Sequence, residues 1–241
     1  SWAAFGISNN ALRGTTAIRR LPGINHTFYV TSDYRKKLYL NLNAANFWGF
    51  DDLMRINDFG LGLYFQPLDA LRISLSANYT YNWRKQDQFV SNVPYDNTTR
   101  SIVGEVKQET LRFTGRLSYN ITPDLTIQYY GQPFITRPLY DNFAYVVSPL
   151  AKNIEDRFKV YDPSQISYSN GVYFVDENSD ATPDYSFRRP DFNFVQFRSN
   201  FIVRWEYRPG SELYLVWSQG NTPPGALSDL TTPLGESLMD H

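Results

Sequence analysis

Residues 71–83 read Leu-Arg-Ile-Ser-Leu-Ser-Ala-Asn-Tyr-Thr-Tyr-Asn-Trp, with apolar or aromatic side chains at every odd position and polar ones at every even position. Strict alternation of this kind marks a β-strand with one oily and one wet face. Strands in globular domains mostly run ~5–6 residues, whereas ~9–11 residues cross a bilayer at a tilt. The aromatics Tyr79, Tyr81 and Trp83 gather at one end of the oily stripe, as interfacial girdles do. The pattern recurs. Leu38, Leu40 and Leu42 alternate with Tyr39, Asn41 and Asn43; Leu111, Phe113 and Leu117 with Arg112, Thr114 and Ser118; Phe201, Val203 and Trp205 with Asn200, Arg204 and Glu206. It predicts long strands over 24–34, 36–48, 56–66, 70–84, 108–121, 124–137, 195–208 and 211–219, with a further short one within 2–8.

The breaks between these strands are of two kinds. Gln66-Pro67-Leu68-Asp69-Ala70, Thr122-Pro123-Asp124 and Arg208-Pro209-Gly210-Ser211 are tight Pro-containing turns, each followed closely by a leucine,. The connections 85–108 and 138–194 are longer and polar, and the second carries an Asn170-Gly171 hairpin signal between Tyr168 and Tyr173,. Short turns at one end and long loops at the other are the asymmetry of an outer-membrane β-barrel. The expected fold is all-β: an antiparallel transmembrane barrel with periplasmic Pro turns and external loops 85–108 and 138–194. Residues 1–241 read as one barrel domain. The Pro/Gly-rich stretch from Thr222 to Gly235 and the ending Leu238-Met239-Asp240-His241 suggest a piece of a larger barrel that lacks an upstream domain and a final strand.

Composition narrows this further. The 241 residues are 42% hydrophobic and 17% aromatic, with 18 Tyr and 17 Phe. A barrel is the one membrane architecture compatible with such a polar average, because half of each strand faces water. A soluble Tyr-rich β-sandwich shares the composition but calls for strands of about half the length. The net charge of −1 gives no global attraction to nucleic acid. The absence of cysteine excludes disulfide scaffolds, Cys-ligated zinc and thiol chemistry.

The block Phe192-Asn193-Phe194, Phe197-Arg198-Ser199-Asn200 and Arg204-Trp205-Glu206-Tyr207-Arg208-Pro209-Gly210-Ser211, followed by Leu215-Val216-Trp217-Ser218-Gln219, resembles the Bacteroidota DUF5916 family. Leu12-Arg13-Gly14, Arg19-Arg20-Leu21-Pro22-Gly23, Thr31-Ser32-Asp33-Tyr34-Arg35-Lys36-Lys37 and Thr122–Phe134 fit the same family. Two segments depart from it: Thr15-Thr16 stands where glycine is expected, and Ser179-Asp180-Ala181 where a Gly-rich acidic turn is usual. The resemblance implies a C-terminal β-barrel of uncharacterised function behind an N-terminal domain like carbohydrate-binding family 9. It supplies no catalytic residues.

Candidate chemistry sits on the wet stripes. Arg72, Arg84, Arg112, Arg116, Arg198, Arg204 and Arg208, with Glu206, would line a lumen. Arg112 and Arg116 lie four apart on one strand and so share a face. One reading is a cationic wall that selects anionic solutes or a polyanionic chain. The plainer one pairs these arginines with luminal carboxylates or a plug. Asp176, Asn178, Asp180 and Asp184 occupy positions 1, 3, 5 and 9 of a Ca²⁺-loop pattern, with Ala181 and Phe187 where that pattern wants Gly and Glu,. Ca²⁺ is therefore the one cofactor the sequence raises. Tyr168, Tyr173, Phe174 and Tyr185 offer faces for sugars, or for folding the loop on itself. With only His26 and His241, and no G-x-S-x-G or Walker motif, catalytic signals are poor.

The leading expectation is a non-enzymatic barrel of the bacterial outer membrane, acting in transport or in a surface assembly. Its partners would be the lipid bilayer, other outer-membrane or surface proteins and glycans, with no nucleic acid. A barrel-anchored glycan-binding protein or hydrolase working through its external loops, and a soluble lectin-like sandwich, are the competing expectations.

Overall fold

The computed structural model describes residues 2–3, 6–20 and 22–222. In chain order the strands are β1 (Trp2–Ala3), β2 (Gly6–Ser8), β3 (Ile18–Arg20), β4 (Gly23–Thr31), β5 (Leu38–Gly49), β6 (Met54–Leu68), β7 (Leu71–Tyr95), β8 (Thr98–Thr122) and β9 (Leu125–Val146). There follow β10 (Phe158–Val160), β11 (Ile166–Ser169), β12 (Val172–Val175), β13 (Tyr185–Arg188), β14 (Phe194–Arg208) and β15 (Ser211–Asn221). A single 3₁₀ turn, Phe50–Asp52, links β5 to β6. The fold is all-β and antiparallel.

The main sheet runs β1-β4-β5-β6-β7-β8-β9-β14-β15, with β10 added to the upper part of β9. From β4 to β15 it is an up-and-down meander, each long strand paired with its sequence neighbour in that series. Among the described residues the sheet is open, with β15 at one edge and β1 and β4 at the other. Closure into a barrel is not seen within residues 2–222. The Pro/Gly-rich stretch from Thr222 to Gly235, beyond its first residue, and the ending Leu238-Met239-Asp240-His241 lie outside the described residues.

Register carries the alternation across the sheet, because paired residues share a face. One row reads Asn43, Gly60, Asn78, Arg112, Phe134, Gln196; the adjacent row reads Leu42, Leu61, Ala77 and Phe113, with Pro133 opposite Phe197. The polar residues of β4 to β14 thus form one face and the apolar residues the other. The apolar face has no second layer over most of its extent: Leu61 is 48% exposed, Leu75 52% and Trp217 68%. Ile73, Leu117 and Val203 are likewise not buried.

The buried core lies elsewhere. It caps the upper end, where β7, β8 and β9 run on past the apolar band. Consecutive residues point to opposite faces, and both faces are covered there. Ile102 and Tyr145 join Val175, Tyr185 and Phe187 of the three-stranded sheet β11-β12-β13. Val103 and Ala144 join Leu12 and Ile18 of the N-terminal segment. Arg157 fastens the second contact. Only 2% exposed, it donates to the carbonyls of Ala151 (2.7 Å), Lys152 (2.9 Å) and Arg19 (2.9 Å).

This upper region corrects the expected loops. Residues 85–108 are not a loop. They are the upper halves of β7 and β8, turned at Asp96-Asn97, both with positive φ (47° and 57°). That is the backbone of a two-residue type I′ hairpin. A polar, Pro-containing sequence hid the strand because bulges at 84/88 and 89/91 shift its register and break the alternation,. Likewise β9 extends to Val146, and 147–193 contains β10 to β13. The Asn170-Gly171 turn has the expected positive φ at both residues (50° and 81°) and joins β11 to β12. The segment Asn10–Gly23 holds a turn and β3, which pairs with β2.

Candidate functional site

The Pro turns gather at the lower end. Thr122 caps one of them, its Oγ1 accepting from the Leu125 amide at 3.0 Å. Gly210, at φ 78°, supplies the left-handed residue of another,. Beside these turns the β4–β5 connection, residues 32–37, folds against the β6–β7 turn. The Gln66 amide donates to the Lys37 carbonyl (2.6 Å), and Lys37 Nζ donates to the Pro67 carbonyl (2.9 Å).

Above these contacts the polar face encloses a cavity of about 770 Å³ whose lining runs from the β4–β5 turn and β5 across to β14. A single cavity can span that many strands only because the sheet curls strongly. Five cations line it, Arg35, Lys36, Lys37, Arg72 and Arg116, against one carboxylate, Asp69. Arg35 is engaged by Asp33 at 2.9 Å, a hydrogen-bonded pair that holds the Asp33 carboxyl below its usual range. Arg72 and Arg116 are exposed and make no ion pair among the described residues. They are diagonal neighbours, since Arg72 faces Ser118 and Arg116 faces Ser74. The Arg116 guanidinium lies 5.3 Å from the Tyr130 ring centre. Tyr39 and Tyr64 stack at 4.6 Å with ring planes 4° apart. Ser74, Ser118, Gln128 and Asn200 complete the polar lining.

The remaining predicted arginines divide into two groups. Arg112 and Arg198 continue the basic track up the polar face, without a carboxylate partner among the described residues, Arg112 sitting 5.6 Å over Phe134. The others are engaged or lie apart. Arg204 pairs with Glu206 (3.6 Å) and with Glu212. Glu206 also accepts from the Gly210 amide (2.9 Å). Arg208 sits at the β14–β15 turn opposite Ser211. Arg84 donates to Asn82 and faces a separate pocket with Arg19, Arg20 and Arg157. Glu212, Lys36, Lys37 and Tyr39 were not among the sequence candidates. The parity of Tyr39 with Asn41 marks its face, but nothing local shows that β5 and β14 border one cavity.

Asp176, Asn178, Asp180 and Asp184 do come together, in the β12–β13 connection. Their oxygens are occupied by the loop's own amides: Asp176 accepts from Asp180 (3.1 Å) and Ala181 (2.8 Å), and Asp184 from Glu177 (2.7 Å). Ala181 takes φ 71° where the calcium pattern wants glycine. Among the described residues no group of three or more carboxylate or imidazole side chains is arranged to hold a metal ion.

The apolar face has rims of its own. At the top, Tyr79 donates to Glu109 (2.8 Å), which pairs with Arg137 (3.2 Å), and Trp83 donates to Glu105 (2.7 Å). At the bottom, Trp205 and Tyr207 meet edge to face at 6.0 Å. No helix among the described residues is long and apolar enough to cross a membrane, which has no bearing on crossing by strands.

A family model described as a domain of unknown function, DUF5916, matches residues 13–223. No curated protein and no solved structure matches.

Proposed function

This chain belongs to the DUF5916 family, and we propose that it forms part of the wall of an outer-membrane β-barrel. Its apolar face meets acyl chains and its polar face lines a water-filled interior. The observation that carries this reading is the apolar face across the long strands, left uncovered over most of its extent while the buried clusters lie in the upper cap and, at Ile135 and Val195, along the upper margin of that face. A soluble sandwich buries that face against a second sheet about 10 Å away. Aromatic residues with polar handles at both rims match the girdles of a bilayer interface. The tight turns mark the periplasmic end, and the cap of β11 to β13 with the β7–β8 hairpin faces the exterior.

The role is non-enzymatic: passage of solutes or a place in a surface assembly. Among the described residues the lower part of the polar face is lined by cations, amides and aromatic rings, groups that bind solutes. Detergent dependence tests the reading. The chain is expected to need detergent or lipid to stay monodisperse and to float with phosphatidylcholine vesicles after an alkaline wash. A chain that is monodisperse in plain buffer rejects the membrane assignment.

A further inference from the structure

We propose that the cavity at the turn end of the polar face binds a soluble saccharide carrying phosphate or carboxylate groups. The proposal rests on the reading of that face as a water-filled interior.

Four observations converge. First, cations from three separate stretches, the 34–37 turn, β7 and β8, meet there with Asp69 as the only lining carboxylate. Like charges brought together in a cleft whose protein walls are of low dielectric focus the field, raise the local potential and concentrate anions. Second, Arg72 and Arg116 make no ion pair among the described residues, and Arg116 is held against Tyr130. A guanidinium steadied on a ring keeps its fork of donors ready for a bidentate oxyanion. Diagonal neighbours on paired strands stand ~7–8 Å apart at their bases, a gap that two long side chains close around one phosphate or carboxylate. Third, Ser74, Ser118, Gln128 and Asn200 add neutral hydrogen-bonding groups, and Tyr64 and Tyr130 add ring faces. These suit the hydroxyls and C–H faces of a sugar. Fourth, the volume of about 770 Å³ falls within the ~300–1,000 Å³ of small-molecule sites. A lipid headgroup is the poorer occupant, because the cavity opens on the face opposite the one that meets acyl chains.

Calorimetric titration of the whole chain tests this, in phosphatidylcholine nanodiscs or, if it proves soluble, in buffer. The probes are glucose 6-phosphate and trigalacturonate, against glucose and maltotriose. At least one anionic sugar is expected to bind, more weakly as salt rises, while the neutral sugars give no heat. The Arg72→Gln/Arg116→Gln variant is expected to bind at least tenfold more weakly, and Arg72→Lys/Arg116→Lys, which keeps the charge but loses the fork, to fall between it and the unaltered chain. Absence of binding by both anions, equal binding of neutral sugars, or an unchanged Gln variant overturns the proposal. Binding that disappears in phosphatidylglycerol discs assigns the cavity to lipid phosphate and overturns it too. Vesicle flotation of the same samples separates the two readings. A chain that floats but does not bind loses only the site, whereas one that binds without floating loses only the membrane.

Discussion

Tyr161 and Tyr185 join their hydroxyls at 2.9 Å, and Tyr185 donates onward to Glu177 at 2.6 Å. Glu177 also pairs with Arg100 at 2.9 Å. Arg100 in turn lies over the rings of Tyr95 and Tyr145. This chain of contacts ties β11 to β13 onto the upper hairpin. Burial pushes both phenols above their ordinary value of 10.0, and the hydrogen bond to Glu177 raises Tyr185 further. Below pH 10 both states keep the protons and stability is unaffected; above it only the unfolded state releases them, so stability falls as pH rises, by up to about 1.4 kcal/mol per pH unit per tyrosine. Cap opening, followed by trypsin cleavage, is expected to accelerate above pH 10 together with phenolate absorbance. Tyr161→Phe is expected to make that dependence shallower, and an unchanged slope would remove Tyr161 from the account.

Strands β7 and β8, 25 residues each, show how one element serves two environments. Their lower halves alternate cleanly and expose an oily stripe. Their upper halves pass through bulges and become the centre of a cap covered on both sides. The Asp96-Asn97 turn holds the pair in register with two left-handed residues. A β-branched residue is badly suited to that conformation, so Asn97→Val is expected to cost about 1–2 kcal/mol, while Asn97→Gly is expected to be nearly neutral. The midpoint of the cap's near-ultraviolet signal in urea measures both, and equal midpoints for the two variants would exclude a type I′ turn.

Across the molecule, neighbouring positions on one strand carry opposite consequences. Leu75 lies on the apolar face and Ser76 on the polar one. If the apolar face meets lipid, Leu75→Arg is expected to cost about 2–4 kcal/mol of folding free energy in vesicles, as charges near a bilayer midplane do. Ser76→Arg, aimed at the interior, is expected to cost far less. Urea titration of vesicle-folded protein compares them, and similar costs for both would contradict two faces in different solvents.

Alternation alone was enough to locate the long strands, their two faces and the tight lower turns, because period-two patterning is a property of each strand considered separately. Leu71 and Leu125 open strands as the Pro turns required, and Asn170-Gly171 turned as its backbone preference demands. Properties that depend on strands meeting were not legible. Local pattern was silent on the hairpin within 85–108, whose alternation the bulges scramble, and on the cap, whose core joins Leu12 to Val103 and Tyr145 to Val175. The same holds for the arginines. Their face followed from parity, but the pairing of Arg204 with Glu212 depends on the register of β14 and β15, and the cavity shared by β5 and β14, which Arg72 and Arg116 line without an ion pair among the described residues, depends on how far the sheet curls. Curl sums small twists over many strand pairs, and no single segment encodes that sum.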